Sequence, residues 1–389
     1  MWFFNSPEIV YGEGALDYLD ELAGRRAFIV TDPHLHALGF TERVAVHLRR
    51  AGLEVTHFAE VEPEPSLETV VRGAEAMRAF EPDWIVGLGG GSAMDAAKAM
   101  WALYERPDIA PDAISPLVKL GLGARSRLIT IPTTAGTGAE VTWALVLSDR
   151  AEGRKLGLGS RETLATLAIV DPALTAAMPP RHTADTGLDA LTHAIEGYTS
   201  TWRNDFSDGL CLKAIQLVFD YLPRAVADGS DLEAREKMAV AATIAGLGFG
   251  NSMAGLAHAM GHAFGAVFHR PHGAAVGLYL PYTIEFIAAA GLGRYADIAY
   301  SLRLPADDGS AAATALVGAI RELMRRIGAA TTAAEMGIAA DEHEAALERL
   351  CDLAEGDTQI VTSPRVPERE ELAALFRAAH EGKMLRAIA

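Results

Sequence analysis

The stretch PDWIVGLGGGSAMDAAKAMWALYE, residues 82–105, decides the fold class of this chain. An apolar run leads into three consecutive glycines, Gly89, Gly90 and Gly91, and a helical pattern follows them. A strand that ends in glycines and opens a helix lets backbone amides approach a phosphate, which the positive helix N-terminus stabilises. The spacing is not the G-x-G-x-x-G of dinucleotide-binding turns, so a flexible turn is the alternative interpretation.

The sequence on either side repeats this alternation of strand and helix. Strand patterns occur in RRAFIVTD (25–32), LEVTHFAEV (53–61) and SRLITIPTT (126–134), and helical patterns occur at 41–53 and 66–80, with Ser66 as an N-cap. Such alternation predicts a parallel α/β sheet with right-handed crossovers. Residues 105–125 contain three prolines and little periodicity, so we expect a surface excursion there.

From about residue 183 the strand patterns stop and Ala/Leu-rich helical patterns follow, such as HTADTGLDALTHAIEGYT at 182–199. The sequence therefore predicts two domains, an α/β nucleotide-binding domain at 1–182 and a helical domain at 183–389. Because the glycine turn and the candidate metal ligands fall in different domains, we expect the active site in the cleft between them.

Composition excludes several classes of protein. With 34 basic and 51 acidic residues the net charge is −17, which argues against a nucleic-acid partner. Cys211 and Cys351 are far apart and predict reduced thiols rather than a disulfide scaffold. The start does not resemble a secretion signal, and no apolar run reaches the roughly 18 to 20 residues that span a bilayer. We expect a cytoplasmic protein without a membrane partner.

Four residues of the second domain form a candidate metal site. Asp189 and His193 are four residues apart, so on a helix their side chains lie on one side, one turn apart. His258 and His272 follow in GLAHAMGHAFGAVFHRPHG, and one carboxylate with three imidazoles suits Fe(II), Zn(II) or Mn(II). A single histidine in such a helix is usually structural, but this clustering favours a metal. His262, one turn after His258, can be a ligand, a proton carrier or a partner of a ligand.

A second small-residue turn, IPTTAGTGAEVT at 131–142, also follows a strand and offers the hydroxyls of Thr133, Thr134 and Thr137. Asp32 ends the strand FIVTD, where a carboxylate accepts hydrogen bonds from ribose hydroxyls and repels a 2′-phosphate. That position favours NAD over NADP. The alternative is that Asp32 only caps the helix that begins at Pro33.

These motifs occur together and in order: GGGSAMDAAK, TIPTTAGTGAEVT, IVDPAL, DTGLDALTHAIEGY and GLAHAMGHAFGAVFHRPHG. Together they resemble the iron-containing (group III) alcohol dehydrogenases over essentially the whole chain. VEPEPSLETV, MDAAKAMWALYERPD and AREKMAVAATIAG are most similar to the alcohol dehydrogenase half of bifunctional aldehyde–alcohol dehydrogenases. The resemblance implies a dehydroquinate synthase-like fold, with a Rossmann-like nucleotide-binding domain and an all-α metal-binding domain.

The resemblance also implies roles for individual residues. Asp189, His193, His258 and His272 would bind Fe(II), or alternatively Zn(II), and His262 would be a non-ligand histidine beside the nicotinamide and the substrate. It further implies a homodimer and NAD as the cofactor, with NADP less favoured. The cofactor-binding positions, which include the glycine turn, would be Asp32, Gly89, Gly90, Gly91, Ser92, Asp95, Thr133, Thr134, Thr137, Thr142 and Lys155.

Several departures from the family pattern leave the substrate open, among them Ala144 and Trp143, which replace other pocket residues. Glu64 stands where many relatives have the Asn of a P-N-P turn, and Gln359 in DTQIVTSPR stands at a cysteine position. We expect reversible oxidation of short-chain primary alcohols to aldehydes with NAD. The alternatives are a glycerol-type polyol dehydrogenase, a dehydroquinate synthase-like lyase and a non-catalytic module. The lyase needs a strongly basic pocket, whereas only Arg181 and Arg270 accompany the metal motifs.

The N-terminal MWFFNSP bears on the oligomeric state. Trp2, Phe3 and Phe4 can form an edge strand between subunits, or a strand that packs on its own domain.

Overall fold

The structure, a computed structural model, describes residues 3–305 and 308–383. The chain divides into two compact units, Met1–Ala177 and Met178–Ala389. Trp2, one of the residues considered for a subunit contact, lies outside the described residues. Among the described residues, no helix combines the length and apolarity needed to cross a membrane.

The first unit alternates strands and helices, as the sequence predicts. Its strands are β1 (Glu8–Tyr11), β2 (Arg26–Val30), β3 (Glu54–Phe58), β4 (Trp84–Gly89), β5 (Arg127–Pro132), β6 (Ala144–Asp149), β7 (Arg154–Gly159) and β8 (Leu167–Val170). Its α-helices are α1 (Pro33–Ala37), α2 (Phe40–Arg50), α3 (Leu67–Phe80) and α4 (Gly91–Glu105).

Six of these strands form one parallel sheet in the order β1-β8-β5-β4-β2-β3. The four inner strands, β8, β5, β4 and β2, are buried on both faces, which is why they read as nearly continuous apolar runs. In β2, Phe28 and Val30 pack on the face that holds α3 and α4, whereas Ala27 and Ile29 pack on the opposite face with α2. Ser66 caps α3 by accepting a hydrogen bond from the Thr69 amide, as its sequence position predicts.

The remaining two strands, β6 and β7, form an antiparallel hairpin that the strand–helix alternation did not predict. The hairpin lies against α4, because the Val146 amide donates a hydrogen bond to Asp95 Oδ2 over 3.0 Å. The predicted surface excursion at 105–125 is only partly correct. Ile114 and Leu120 are fully buried in the core, and the Glu162 carboxylate binds the backbone amide of Leu120 at 2.8 Å.

The described residues of the second unit form α-helices, a 3-10 helix at Thr358–Thr362 and connecting loops, and none of them lies in a strand. Its α-helices are α5 (Pro180–Thr199), α6 (Asp205–Ala227), α7 (Leu232–Gly250), α8 (Leu256–Phe268), α9 (His272–Ala289), α10 (Tyr295–Ser301), α11 (Gly309–Arg326), α12 (Ala340–Glu355) and α13 (Arg369–Glu381). The candidate metal ligands lie on α5, α8 and α9.

Candidate metal centre and dinucleotide site

The four side chains proposed as metal ligands come together in the second unit. Asp189 and His193 lie on α5, His258 lies on α8, and His272 is the first residue of α9. Asp189 Oδ1 is 3.6 Å from His193 Nδ1, 3.7 Å from His258 Nε2 and 3.2 Å from His272 Nε2. One potential ligand atom from each residue lies within 4.8 Å of the others.

Glycines allow the three helices to come this close. A Cβ on Gly273 would overlap the carbonyl oxygen of Asp185 on α5 and lie 2.7 Å from its carbonyl carbon. A Cβ on Gly261 of α8 would lie 2.7 Å from Val276 Cα on α9. Any larger residue at these positions would separate the helices, because backbone atoms cannot rotate away as side chains do.

The donor atoms of the cluster fit a divalent cation. Asp189 Oδ1 and His258 Nε2 are buried and make no hydrogen bond with any described residue. Buried polar atoms without a partner are costly in a folded protein, and a bound cation would satisfy both. Burial alone would raise the pKa of Asp189, but the charges of His193 and His272 hold it well below its ordinary value. The carboxylate is therefore ionised, as a metal ligand must be.

Glu196 fixes the orientation of one candidate ligand. His258 Nδ1 donates a hydrogen bond to Glu196 Oε2 over 2.5 Å, which leaves His258 Nε2 directed at the cluster. The same carboxylate accepts hydrogen bonds from the amides of Gly255 at 3.0 Å and Ala257 at 2.6 Å, at the start of α8. Burial lowers the pKa of His258, but the nearby carboxylates of Asp189 and Glu196 outweigh this effect and raise the pKa to about 9.

Sequence reasoning missed Glu196, although a signal for it exists. Glu196 follows Asp189 by seven residues and His193 by three, so all three side chains lie on one face of α5. Metal-binding histidines commonly donate their second N–H to a carboxylate. A D-x3-H-x2-E pattern therefore predicts a carboxylate behind the ligands. Phe249 supports the cluster from another side, since its ring stacks on that of His193 at 3.8 Å.

His262 lies beside the cluster. Its ring centre is 5.1 Å from that of His272, and its Nδ1 donates a hydrogen bond to Asp357 Oδ2 over 2.6 Å. Asp357 is itself held, because its Oδ1 accepts a hydrogen bond from the Gln359 amide at 2.8 Å. Burial lowers the pKa of His262, although Asp357 opposes this effect. Asp357 was not identified from the sequence, since the contact joins residues 95 positions apart.

The glycine turn of the first unit has the predicted form. β4 ends at Gly89, Gly90 is the N-cap of α4 without a side-chain cap, and Gly91 is the first helical residue. Thr134 Cγ2 would lie 3.4 Å from a Cβ on Gly90, and Thr137 Cγ2 would lie 3.2 Å from a Cβ on Gly91. The second small-residue turn therefore packs directly against the first.

Asp32 serves as a helix cap and also reaches the glycine turn. Its Oδ1 accepts a hydrogen bond from the Leu35 amide at 2.9 Å, which caps α1. Its Oδ2 would lie 3.7 Å from a Cβ on Gly89. The two interpretations of Asp32 are therefore compatible.

The other candidate cofactor residues differ in burial and in the contacts that they make. Thr133 is buried and its amide donates to Gly89 O over 3.0 Å, while Thr142 is buried at the end of a short 3-10 turn. Asp95 is engaged by Val146 and lies 3.5 Å from Lys98 Nζ. Two further contacts link the turn to its surroundings: Ser92 Oγ accepts the Glu64 amide at 3.2 Å, and Lys155 Nζ donates to Glu64 Oε1 over 2.5 Å.

Fold and site together define a two-unit protein with a phosphate-binding type of turn in one unit and a cation-binding cluster in the other. Family models match both units: iron-containing alcohol dehydrogenase at residues 6–172, and the C-terminal part of the Fe-containing alcohol dehydrogenase family at residues 183–380. The chain belongs to the iron-containing alcohol dehydrogenase family.

Individual relatives agree with this assignment. The chain is 39% identical to the NADPH-dependent butanol dehydrogenase of Clostridium saccharobutylicum, with 98% of this chain and 99% of that protein covered. It is 38% identical to an aldehyde-alcohol dehydrogenase of Streptococcus pneumoniae, of which it covers only 46%. A crystal structure of 1,3-propanediol oxidoreductase superposes with a TM-score of 0.91 at 33% identity, covering 97% of this chain and all of that one.

The predicted family, fold and alcohol dehydrogenase activity are thus confirmed over the lyase, polyol and non-catalytic alternatives.

Proposed function

We propose that this protein interconverts short-chain primary alcohols and aldehydes, with NAD(H) as the hydride carrier and Fe(II), or alternatively Zn(II), as its cation. The observation that carries the proposal is the cluster around Asp189 Oδ1. Two of its donor atoms, Asp189 Oδ1 and His258 Nε2, are buried without a hydrogen bond to any described residue. The substrate class is supported by the butanol dehydrogenase and aldehyde-alcohol dehydrogenase relatives.

Asp189, His193, His258 and His272 would hold the cation. A bound divalent cation supplies Lewis acidity, which polarises the substrate oxygen and lowers the pKa of an alcohol. Glu196 keeps His258 in the tautomer whose Nε2 is available to the cluster.

His262 would carry the proton released when an alcohol is oxidised. Because its Nδ1 is bonded to Asp357, its Nε2 is the nitrogen left to accept a proton. The His262 side chain is 30% exposed, so a proton on it can pass on to water.

The dinucleotide would bind at the N-terminus of α4. The backbone amides of the first turn of α4, at Gly91 and its neighbours, would hold the diphosphate, with Thr134 and Thr137 beside them. Asp32 would accept hydrogen bonds from a ribose through Oδ2 and disfavour a 2′-phosphate, which supports NAD as the preferred cofactor.

The test combines metal content with a substrate panel. Wild-type protein loaded with Fe(II) or Zn(II) is assayed with NADH or NADPH on linear, branched and hydroxylated aldehydes. His258→Ala is expected to lose metal and turnover together, whereas His182→Ala, an exposed histidine at the start of α5, keeps both. Normal turnover by metal-free His258→Ala would contradict the proposal.

We further propose that residues 1–182 bind the dinucleotide and that residues 183–389 bind the metal. We also propose that the protein is cytoplasmic and forms a homodimer. The cytoplasm is supported by Cys211 and Cys351, which are both buried and unbonded to each other. The dimer is supported by β1, the terminal strand of the sheet order, and by Phe3, which is 57% exposed. Light scattering on the purified protein tests the homodimer, and a monomeric mass would contradict it.

A further inference from the structure

Glu64 has an unusual backbone conformation. Its φ is +56°, in the left-handed region that glycine and asparagine adopt readily and glutamate rarely does. It also precedes Pro65, a position where the backbone is normally extended. Backbone strain of this kind persists only where surrounding contacts enforce it, and it is concentrated at functional sites.

Both ends of Glu64 are held by the candidate dinucleotide site. Its amide donates to the hydroxyl of Ser92, the second residue of α4, over 3.2 Å. Its carboxylate oxygen Oε1 lies 2.5 Å from the ammonium of Lys155 on β7. Glu64 therefore connects the N-terminus of α4 to the β6–β7 hairpin.

The pairing of Glu64 with Lys155 is specific within its segment. Glu62, the preceding acid, is already bonded to Arg150 at 2.9 Å and to the Thr69 hydroxyl at 2.9 Å. The side chains of this pair are 35% exposed at Lys155 and 60% exposed at Glu64. An exposed ion pair of this kind is weak, so a strongly anionic ligand can displace the carboxylate from the ammonium.

The charge of Glu64 has a consequence for ligand binding. A dinucleotide that places its diphosphate at the N-terminus of α4 would lie close to Glu64, whose backbone amide is bonded to Ser92 in the first turn of that helix and whose side chain carries a negative charge. The carboxylate and the diphosphate are both anions, and neighbouring anions repel each other unless a cation lies between them. Lys155 is the cation that the structure pairs with this carboxylate.

We propose that Glu64 is a determinant of dinucleotide affinity. In the free protein its carboxylate binds the ammonium of Lys155, and a bound dinucleotide draws this ammonium to its phosphates. Glu64 thus weakens binding of the dinucleotide and favours its release. This inference rests on the proposed function, because it requires that the chain bind NAD(H).

The experiment measures dissociation constants for NADH and for ADP-ribose, which has the diphosphate but no nicotinamide. It compares wild type, Glu64→Gln, Lys155→Met and the double variant in low-salt buffer. Glu64→Gln is matched in size and backbone preference, so it removes only the charge. Glu60→Gln is the control, because it removes one charge from the same segment, where Glu60 pairs with Arg72 at 3.4 Å.

Glu64→Gln is expected to lower both dissociation constants by roughly threefold to tenfold, and the gain should shrink as salt is added. Lys155→Met should raise them by at least a similar factor, the double variant should fall between, and Glu60→Gln should match wild type. Unchanged or weaker binding by Glu64→Gln, in a protein with the same melting temperature as wild type, would overturn this inference but not the proposed function. Failure of wild type itself to bind NADH would overturn the proposed function as well.

Discussion

Replacing Gly273 by alanine tests whether close helix packing assembles the metal cluster. Gly273 follows His272, the first residue of α9, and faces the backbone of α5 at Asp185. The added Cβ would lie 2.7 Å from the Asp185 carbonyl carbon, whereas carbon atoms in contact are normally about 3.5–4.0 Å apart. Since the obstacle is backbone, the start of α9 must move by about 1 Å.

The magnitude follows from two effects. Forcing an extra methyl group into a packed interior costs about 1–3 kcal/mol. The displacement also carries His272 away from Asp189, whose Oδ1 is now 3.2 Å from His272 Nε2. Metal–ligand distances tolerate only about 0.2 Å, so we expect metal affinity to fall at least about tenfold.

The assay is chelator competition for the dissociation constant of Zn(II) or Fe(II), together with thermal unfolding of the metal-free protein. Gly318→Ala is the matched control, because Gly318 lies inside α11 and nothing lies within 4 Å of its would-be Cβ. That change should raise stability by about 0.5–1 kcal/mol and leave metal binding unaltered. Wild-type metal affinity in Gly273→Ala would refute the reasoning.

Three further predictions concern side chains. Glu196→Gln should reduce metal affinity about 10- to 100-fold in a folded protein, measured by chelator competition, because His258 loses its fixed tautomer. Burial, with the nearby His380, lowers the pKa of His343 to about 4. As the pH falls, His343 therefore takes up its proton in the unfolded chain before it does so in the folded protein. Stability should therefore fall as the pH drops from about 6.5 to 4, by up to about 3 kcal/mol, and His343→Leu should flatten that fall in urea titrations. Asp32→Ser keeps a helix cap but removes the charge, so the kcat/KM ratio of NADPH to NADH should rise about tenfold or more.

Each of these has a clear contrary outcome. Full metal affinity in Glu196→Gln would show that the backbone alone orients His258. An equally steep acid dependence in His343→Leu would assign the effect to other groups. An unchanged cofactor ratio in Asp32→Ser would leave Asp32 as a helix cap only.

The elements with local signals were predictable from the sequence. The strand before Gly89, the helix after Gly91 and the Ser66 cap depend on residues that are neighbours in sequence. Asp189 and His193 were predictable as a pair because a helix places them on one side. The parallel direction of the strands follows from the alternation of strands and helices, whereas their order in the sheet does not.

Contacts between distant residues were not predictable. The His262–Asp357 bond depends on how a turn near the C-terminus packs against α8, and no periodicity encodes that. The burial of Ile114 and Leu120 was missed because prolines and irregular spacing resemble those of an exposed loop. The antiparallel β6–β7 hairpin pairs residues that are close in sequence and was missed for another reason, because it is not part of the strand–helix alternation that predicts the parallel sheet.

The spread of the four candidate ligands along the chain has a consequence for biosynthesis. A growing chain that has completed α5 offers a cation only Asp189 and His193, and two donors hold a metal weakly. The third donor comes with His258 and the fourth with His272, and all four converge only after α5, α8 and α9 have docked. Metal capture should therefore be a late event that locks three helices together, and metal content should report how much of the protein has finished folding.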